Sequence, residues 1–258
     1  MSLQLGRAIV DGSTRVFTRA GAMLLVGLVA LQFLVQSSVN TVVAGLFPPE
    51  AAGELNQMLG LTLPVPGSVA GGLFVLALVL TSAYYVVLAR AFVRPTSEQS
   101  ALPADLYTRR IGRATLSQVV GGIFVGFAVG VGLAFLILPG LFLSVCFLFF
   151  GFAVAVEDRG ILDALRRSWG LSRGNRLKLA VLVVLTGVVG AVIGVTGSVF
   201  DMANSPVVGE ALVNVLGSVL YVFLYGVIAA AYLQVREDSE GFDGPETTGT
   251  PDDAFVAE

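Results

Sequence analysis

The sequence predicts an all-α polytopic membrane protein, with six transmembrane helices accompanied by in-plane amphipathic helices. Three observations predict it. Of 258 residues, 55% are hydrophobic and 13% charged, about half the charge of a soluble domain at roughly 25%, and the mean hydropathy is +0.86. Uncharged apolar runs recur along the chain, most of them close to the roughly 20 residues that a roughly 30 Å hydrocarbon layer requires. All 15 Lys and Arg residues fall in alternate connections between those runs.

Composition also excludes chemistry. There is no histidine, which removes the commonest general acid/base and the commonest metal ligand together. The one cysteine, Cys146, lies in an apolar run, has no partner for an intrachain disulfide, and reads as a small hydrophobe in a helix. All basic residues but Lys178 are arginines, and acidic residues gather at the C-terminus. That bias predicts a high-GC genome and a salt-rich cytoplasm, where the Debye length falls to about 3 Å near molar salt and long-range attraction to anionic lipid weakens.

Residues 1–20 place Leu3, Leu5, Ile9, Val10, Val16 and Phe17 among Arg7, Asp11, Arg15 and Arg19. They are too polar to span and predict an in-plane helix feeding the first span. The run after Arg19 has full spanning length and no small-residue cleavage site closes it, so it reads as a span rather than a signal peptide. Span 1, at about 21–43, carries Gln32, Gln36 and Asn40 at successive i, i+4 positions on one face. Amides are costly against lipid, so this face is expected to look into the bundle, bonding a neighbouring helix or lining a polar cavity.

Residues 44–67 contain Pro48-Pro49, Glu50, Glu54 and Leu63-Pro64-Val65-Pro66-Gly67. They predict a long outer connection with a short surface helix over Glu50 to Leu61. Span 2, at about 68–93, ends in Tyr84, Tyr85 and Arg90, with Arg94 beyond, which reads as an interfacial collar. A polar loop from Pro95 to Arg113 follows.

Val119 to Val156 carries no charge and is interrupted at Leu138-Pro139-Gly140. At about 1.5 Å per residue it is nearly twice the hydrocarbon thickness, which predicts a hairpin of spans at about 115–138 and 139–156. Gly122, Gly126 and Gly130 repeat every four residues on span 3, and Gly187, Gly190, Gly194 and Gly197 form a stripe on span 5, at about 177–200. Both predict close helix packing, within or between subunits. Between these spans, Glu157-Asp158 reads as a solvated helix-end pair. Gly160 to Arg173 reads as an in-plane amphipathic helix, with Ile161, Leu162, Leu165, Trp169 and Leu171 toward lipid and Asp163, Arg166, Arg167 and Arg173 toward water.

Ser205 and Pro206 predict the cap and first position of span 6, at about 207–233. Glu210 falls in its first turn, where an acid suits the helix dipole and reads as structural. Asn214 lies deeper and is the expected partner of the span 1 amides. Residues 1–236 thus form the membrane domain, and 237–258, rich in Asp and Glu, read as a disordered acidic tail.

The basic residues number three before span 1, five between spans 2 and 3, six between spans 4 and 5 and one after span 6, which accounts for all 15. The positive-inside rule places both termini in the cytoplasm of a plasma-membrane protein. An in-plane helix followed by two spans also occurs twice, a layout echo with few side-chain matches.

Leu138-Pro139-Gly140, the apolar fourth span, the charged turn Glu157 to Gly160, Ala164-Leu165-Arg166-Arg167-Ser168-Trp169, and Gly174-Asn175 together carry a family likeness. This order resembles the membrane domain found beside some glycerophosphodiester phosphodiesterases and, alone, in many six-span bacterial and archaeal proteins. The resemblance implies a six-span fold. The phosphodiesterase activity of fused relatives needs a separate barrel with a histidine and metal-carboxylate site, so it does not carry over to a chain without histidine.

The function expected is that of a membrane scaffold or interaction component without catalytic activity. Its basic helix, through Arg166, Arg167, Trp169 and Arg173, would dock on lipid headgroups or a protein partner at the cytoplasmic face. The alternative is a transporter or permease-like component for a lipid or small solute, using Gln32, Gln36, Asn40 and Asn214. Against it, no charged side chain lies near the middle of a predicted span. An enzyme has least support, because no nucleophile, base and orienting group fall together. No catalytic, cofactor-binding or metal-binding residue, no cofactor and no nucleic-acid partner is expected, while homo-oligomerisation stays open.

Overall fold

The computed structural model describes residues 3–48, 59–99, 102–203 and 205–242. Among these residues helix is the only regular secondary structure and no strand occurs, and six helices or helix pairs are long and apolar enough to cross a membrane. The spans are α2 (Arg19–Gly45), α3 (Gly67–Val93), α5 (Ile111–Phe135), the pair α6 (Ile137–Cys146) and α7 (Phe150–Ala155), α9 (Arg176–Met202) and α10 (Pro206–Phe242). Three shorter helices, α1 (Leu5–Val16), α4 (Asp105–Thr108) and α8 (Ile161–Ser172), lie at the end of the bundle that carries the arginines, called here the basic end.

Prolines set several boundaries. Arg94 is extended and closes α3, because the residue before Pro95 is barred from helical geometry. The turn between α5 and α6 is the single extended residue Leu136, two residues before the expected Leu-Pro-Gly turn. Pro139 sits in the first turn of α6, where its missing N–H is no loss, so the motif starts a helix instead of making the bend. The tight bend brings Gly132 against Gly140: a Cβ on Gly132 would lie 2.9 Å from the Gly140 Cα.

Two other expectations move. Helix α10 runs on through Phe242, so the first residues assigned to the acidic tail are helical; residues 243–258 lie outside the described residues. The expected surface helix over Glu50 to Leu61 falls mostly on residues outside them too, and 59–61 are not helical.

The spans form a ring in which α2 packs beside α3, then come α5, α6, α9 and α10, and α10 returns to α2. Helices α7 and α8 fill the basic end, α7 against α3 and α8 against α7. The buried core is concentrated there, in Val86–Phe92 of α3, Phe149–Ala155, Leu179 and Leu182, and the α10 stretch from Val222 to Val235. An aromatic column crosses this core: Tyr85, Tyr225, Phe152, Tyr232 and Phe149 follow one another with ring centroids 5.8, 5.0, 5.2 and 5.7 Å apart.

Toward the opposite end, α5 and α9 bury little. Among the described residues a Cβ on Gly122, Gly126, Gly130, Gly187, Gly190 or Gly194 would meet nothing within 4 Å, so these stripes do not pack against them, and of the two stripes only Gly197 approaches a neighbour, the Val213 side chain. The α5 glycines that do meet a neighbour lie outside the repeat: Gly121 against Phe150, and Gly132 against Gly140 at the bend.

Helix α1 is pinned rather than loose. Gly12 crosses α10 at Gly226 and Val227, where a Cβ would lie 2.6 Å from the Val227 Cα. The Leu3 N–H donates to Asn175 Oδ1 (3.2 Å), Lys178 Nζ donates to the Leu3 carbonyl (2.8 Å), and Arg15 donates to the Phe92 and Arg94 carbonyls at the end of α3. A cation there complements the helix dipole.

Candidate functional site

Helix α8 carries the residues singled out in the sequence. Ala164, Ser168, Leu171 and Ser172 recur at helical spacing and are buried, so one face packs on the bundle while Leu162 remains 69% exposed. The expectation that Leu171 faces lipid is therefore corrected: it belongs to the packed face. Ser168 explains the break in span 4. Its Oγ donates to the Cys146 carbonyl (2.8 Å) and accepts from the Phe149 N–H (3.2 Å), satisfying two groups freed where α6 stops and α7 begins.

Trp169 meets Phe142 edge-on (5.6 Å between centroids) and packs on Phe147 (6.0 Å). The Arg176 guanidinium lies 4.9 Å from the Phe142 ring centre and 5.3 Å from that of Trp169, a favourable cation–π geometry. Arg167 donates to Glu157 (3.2 Å). Arg166 and Arg173 are exposed and make no ion pair or side-chain hydrogen bond among the described residues. Of the four predicted surface residues, two are thus absorbed into structure and two point outward.

Glu157 and Asp158 are not a solvated pair. The Glu157 side chain is 14% exposed and accepts from Tyr232 Oη (2.7 Å), Arg167 and Arg159. Burial pushes its carboxyl up, but these three bonds outweigh it and hold the group below its ordinary value. Asp158, with φ of +51°, pairs with Arg90 (3.2 Å) and Arg109 (3.0 Å).

Arg90, expected as part of an interfacial collar, is only 6% exposed. It donates to the carbonyls of Ala155 (2.7 Å), Leu106 (3.0 Å) and Arg109 (2.8 Å), tying together α3, α7 and the segment around α4. The collar tyrosines are also internal: Tyr84 donates to the Leu24 carbonyl and Tyr85 stacks in the aromatic column. An open cleft of about 210 Å³ beside this network is lined by Arg90, Arg94, Asp105 and Arg109, but each of these arginines is already bonded to protein.

At the opposite end the amide stripe divides. Asn40 is 5% exposed, Gln32 half-buried and Gln36 exposed, so the stripe as a whole does not face the bundle. Gln36 Nε2 donates to Asn40 Oδ1 (3.1 Å); Asn40 Nδ2 donates to the Leu61 carbonyl (3.1 Å) and to Glu210 Oε2 (2.9 Å), which also accepts from the Leu61 N–H (2.9 Å). Gly60 admits the carboxylate: a Cβ there would collide with Glu210 Oε2.

The partner of the span 1 amides is therefore Glu210 rather than Asn214, one turn nearer the helix end. The signal for it lay in spacing, since Glu210 and Asn214 repeat the i, i+4 interval of Gln36 and Asn40. Asn214 Nδ2 and Glu210 Oε1 are buried without a partner among the described residues. Both residues line an open cavity of about 270 Å³ with Gln36, Asn40 and Gly60. Among the described residues no group of three Cys, Asp or Glu could hold a metal ion.

Residues 3–235 match the family model described as Domain of unknown function (DUF7847). The chain belongs to that family. The DUF7847 match takes in both the arginine network and the cavity at the opposite end. No curated protein and no solved structure matches the chain.

Proposed function

We propose that this chain is a non-catalytic membrane scaffold of the plasma membrane, with both termini in the cytoplasm, whose basic end holds anionic lipid headgroups. The carrying observation is the division of labour on α8. Arg167 and Trp169 fix the helix to the bundle, which leaves Arg166 and Arg173 directed outward beside the exposed Leu162 and Leu177. A rigid in-plane helix presenting cations above exposed apolar side chains suits the headgroup layer. In a salt-rich cytoplasm long-range attraction is screened, but bidentate contact between guanidinium and phosphate survives at close range. A protein partner on the same face fits this reading, as does kinship with the membrane domain beside glycerophosphodiester phosphodiesterases, without its activity.

The test is lipid retention. Purified protein from mixed vesicles is expected to keep anionic lipid preferentially. At about 1 kcal/mol per surface arginine, the double substitution Arg166→Gln, Arg173→Gln weakens that preference roughly tenfold or more at low salt with unchanged thermal stability. Unchanged retention in the double variant contradicts the proposal. The alternative of a permease-like component draws on one observation, the polar cavity at the opposite end; the absence of a charged side chain near mid-span weighs against coupled transport.

A further inference from the structure

From the cavity beside α10 we infer a binding site for a small primary ammonium that carries an acceptor oxygen nearby, the chemistry of ethanolamine. The site lies at the other end of the molecule from the arginines, and it stands or falls independently of the headgroup reading above.

Among the described residues two groups in the cavity lack a partner and ask for a ligand. Glu210 Oε2 is occupied by Asn40 and Leu61, but Oε1 is buried without a partner. One helical turn deeper, Asn214 Nδ2 is a buried donor without a partner. Orphaned buried polar atoms are costly, and one acceptor and one donor a turn apart match a ligand with a donor near an acceptor.

Charge decides the class of ligand. No Lys or Arg occurs between Arg19 and Arg90, between Arg113 and Arg159, or between Lys178 and Arg236, so no connection at this end supplies a cation to Glu210. The ligand brings it. Gln36 and Asn40 add amides to the wall, and the volume of about 270 Å³ holds a ligand of a few heavy atoms. At about 1.5 Å per residue, Gln36 and Asn214 lie roughly 12–14 Å below the ends of their helices, so the site opens at the surface without reaching mid-bundle. Free ethanolamine offers a hydroxyl oxygen and the headgroup of an ethanolamine lipid a phosphate oxygen, each two carbons from the same ammonium.

Calorimetry on the purified full chain in detergent, titrated with ethanolamine, tests the inference. Ethanolamine binds, ethylene glycol does not, and Glu210→Gln weakens binding about tenfold or more, as the loss of a charge-assisted bond does. Because Glu210 also secures the loop, Asn214→Leu is the second variant. It leaves the loop bonds in place and removes the preference for ethanolamine over propylamine, which lacks the hydroxyl. Mass spectrometry of protein taken from vesicles of phosphatidylethanolamine and phosphatidylglycerol separates the sources. Ethanolamine lipid retained by the wild type and displaced by free ethanolamine supports a headgroup; calorimetric binding without such retention supports a free solute. No binding in either arm, or equal binding of ethylene glycol, overturns the inference and leaves water as the partner of the two orphan atoms.

Discussion

The Ser168 hydroxyl joins two pieces of one span through the two backbone groups it satisfies. Removing it leaves the Phe149 N–H and the Cys146 carbonyl without that partner in a buried place, at a cost of about 1–3 kcal/mol for an unsatisfied group. Ser168→Ala is therefore expected to lower the unfolding temperature of the detergent-solubilised protein while leaving its helical content intact; an unchanged unfolding temperature would show that the hydroxyl contributes nothing at the break. The serine was legible as part of Ala164–Trp169, but its role was not. Its partners are backbone groups freed by a break that nothing in an uninterrupted apolar run announces. Arg90 was hidden for the same reason, since three of its four acceptors are carbonyls, which carry no residue signature. Arg166 and Arg173 are exposed, because amphipathic spacing reports which side of a helix turns away from the packed face.

Among the elements, the turn between α7 and α8 depends on charge. Glu157 receives bonds from Tyr232 of α10, Arg167 of α8 and Arg159 of the turn itself. Its carboxyl is held below the ordinary range. A depressed acid contributes stability that is fully present above its unfolded value, near pH 4.3, and is lost as pH falls through the folded value. Thermal stability is thus expected to drop as pH falls below the unfolded value in the wild type. In Glu157→Gln it starts lower at pH 6 and drops less; parallel pH curves for the two proteins would remove Glu157 from the account. The spans themselves were legible because bilayer thickness fixes their length. The bend before α6 was misplaced because proline marks the first turn of a helix as well as a loop. The glycine repeats identified a smooth face but not its neighbour, and Gly121 and Gly132, outside the repeat, make the contacts.

The whole molecule is asymmetric: a packed, ion-paired basic end with three short helices, and an opposite end where α5 and α9 separate from the core. The distribution of arginines foretold the polarity of the bundle, since all 15 basic residues lie toward one end. It could not foretell that the core would concentrate there, because apolar residues facing lipid and those facing protein look alike in sequence. The amide stripe announced a polar feature near the opposite end, yet its partner was misassigned by one helical turn, since depth alone does not fix rotation.

The proposed scaffold role places the basic end in the cytoplasm, and the cavity therefore outward. Cys146 is buried and gives little background, so single cysteines can be read with a membrane-impermeant maleimide. Ala203→Cys, at the exposed turn between α9 and α10, is expected to label in intact cells, and Arg166→Cys only after lysis. Labelling of Arg166→Cys in intact cells would invert the molecule and contradict the account.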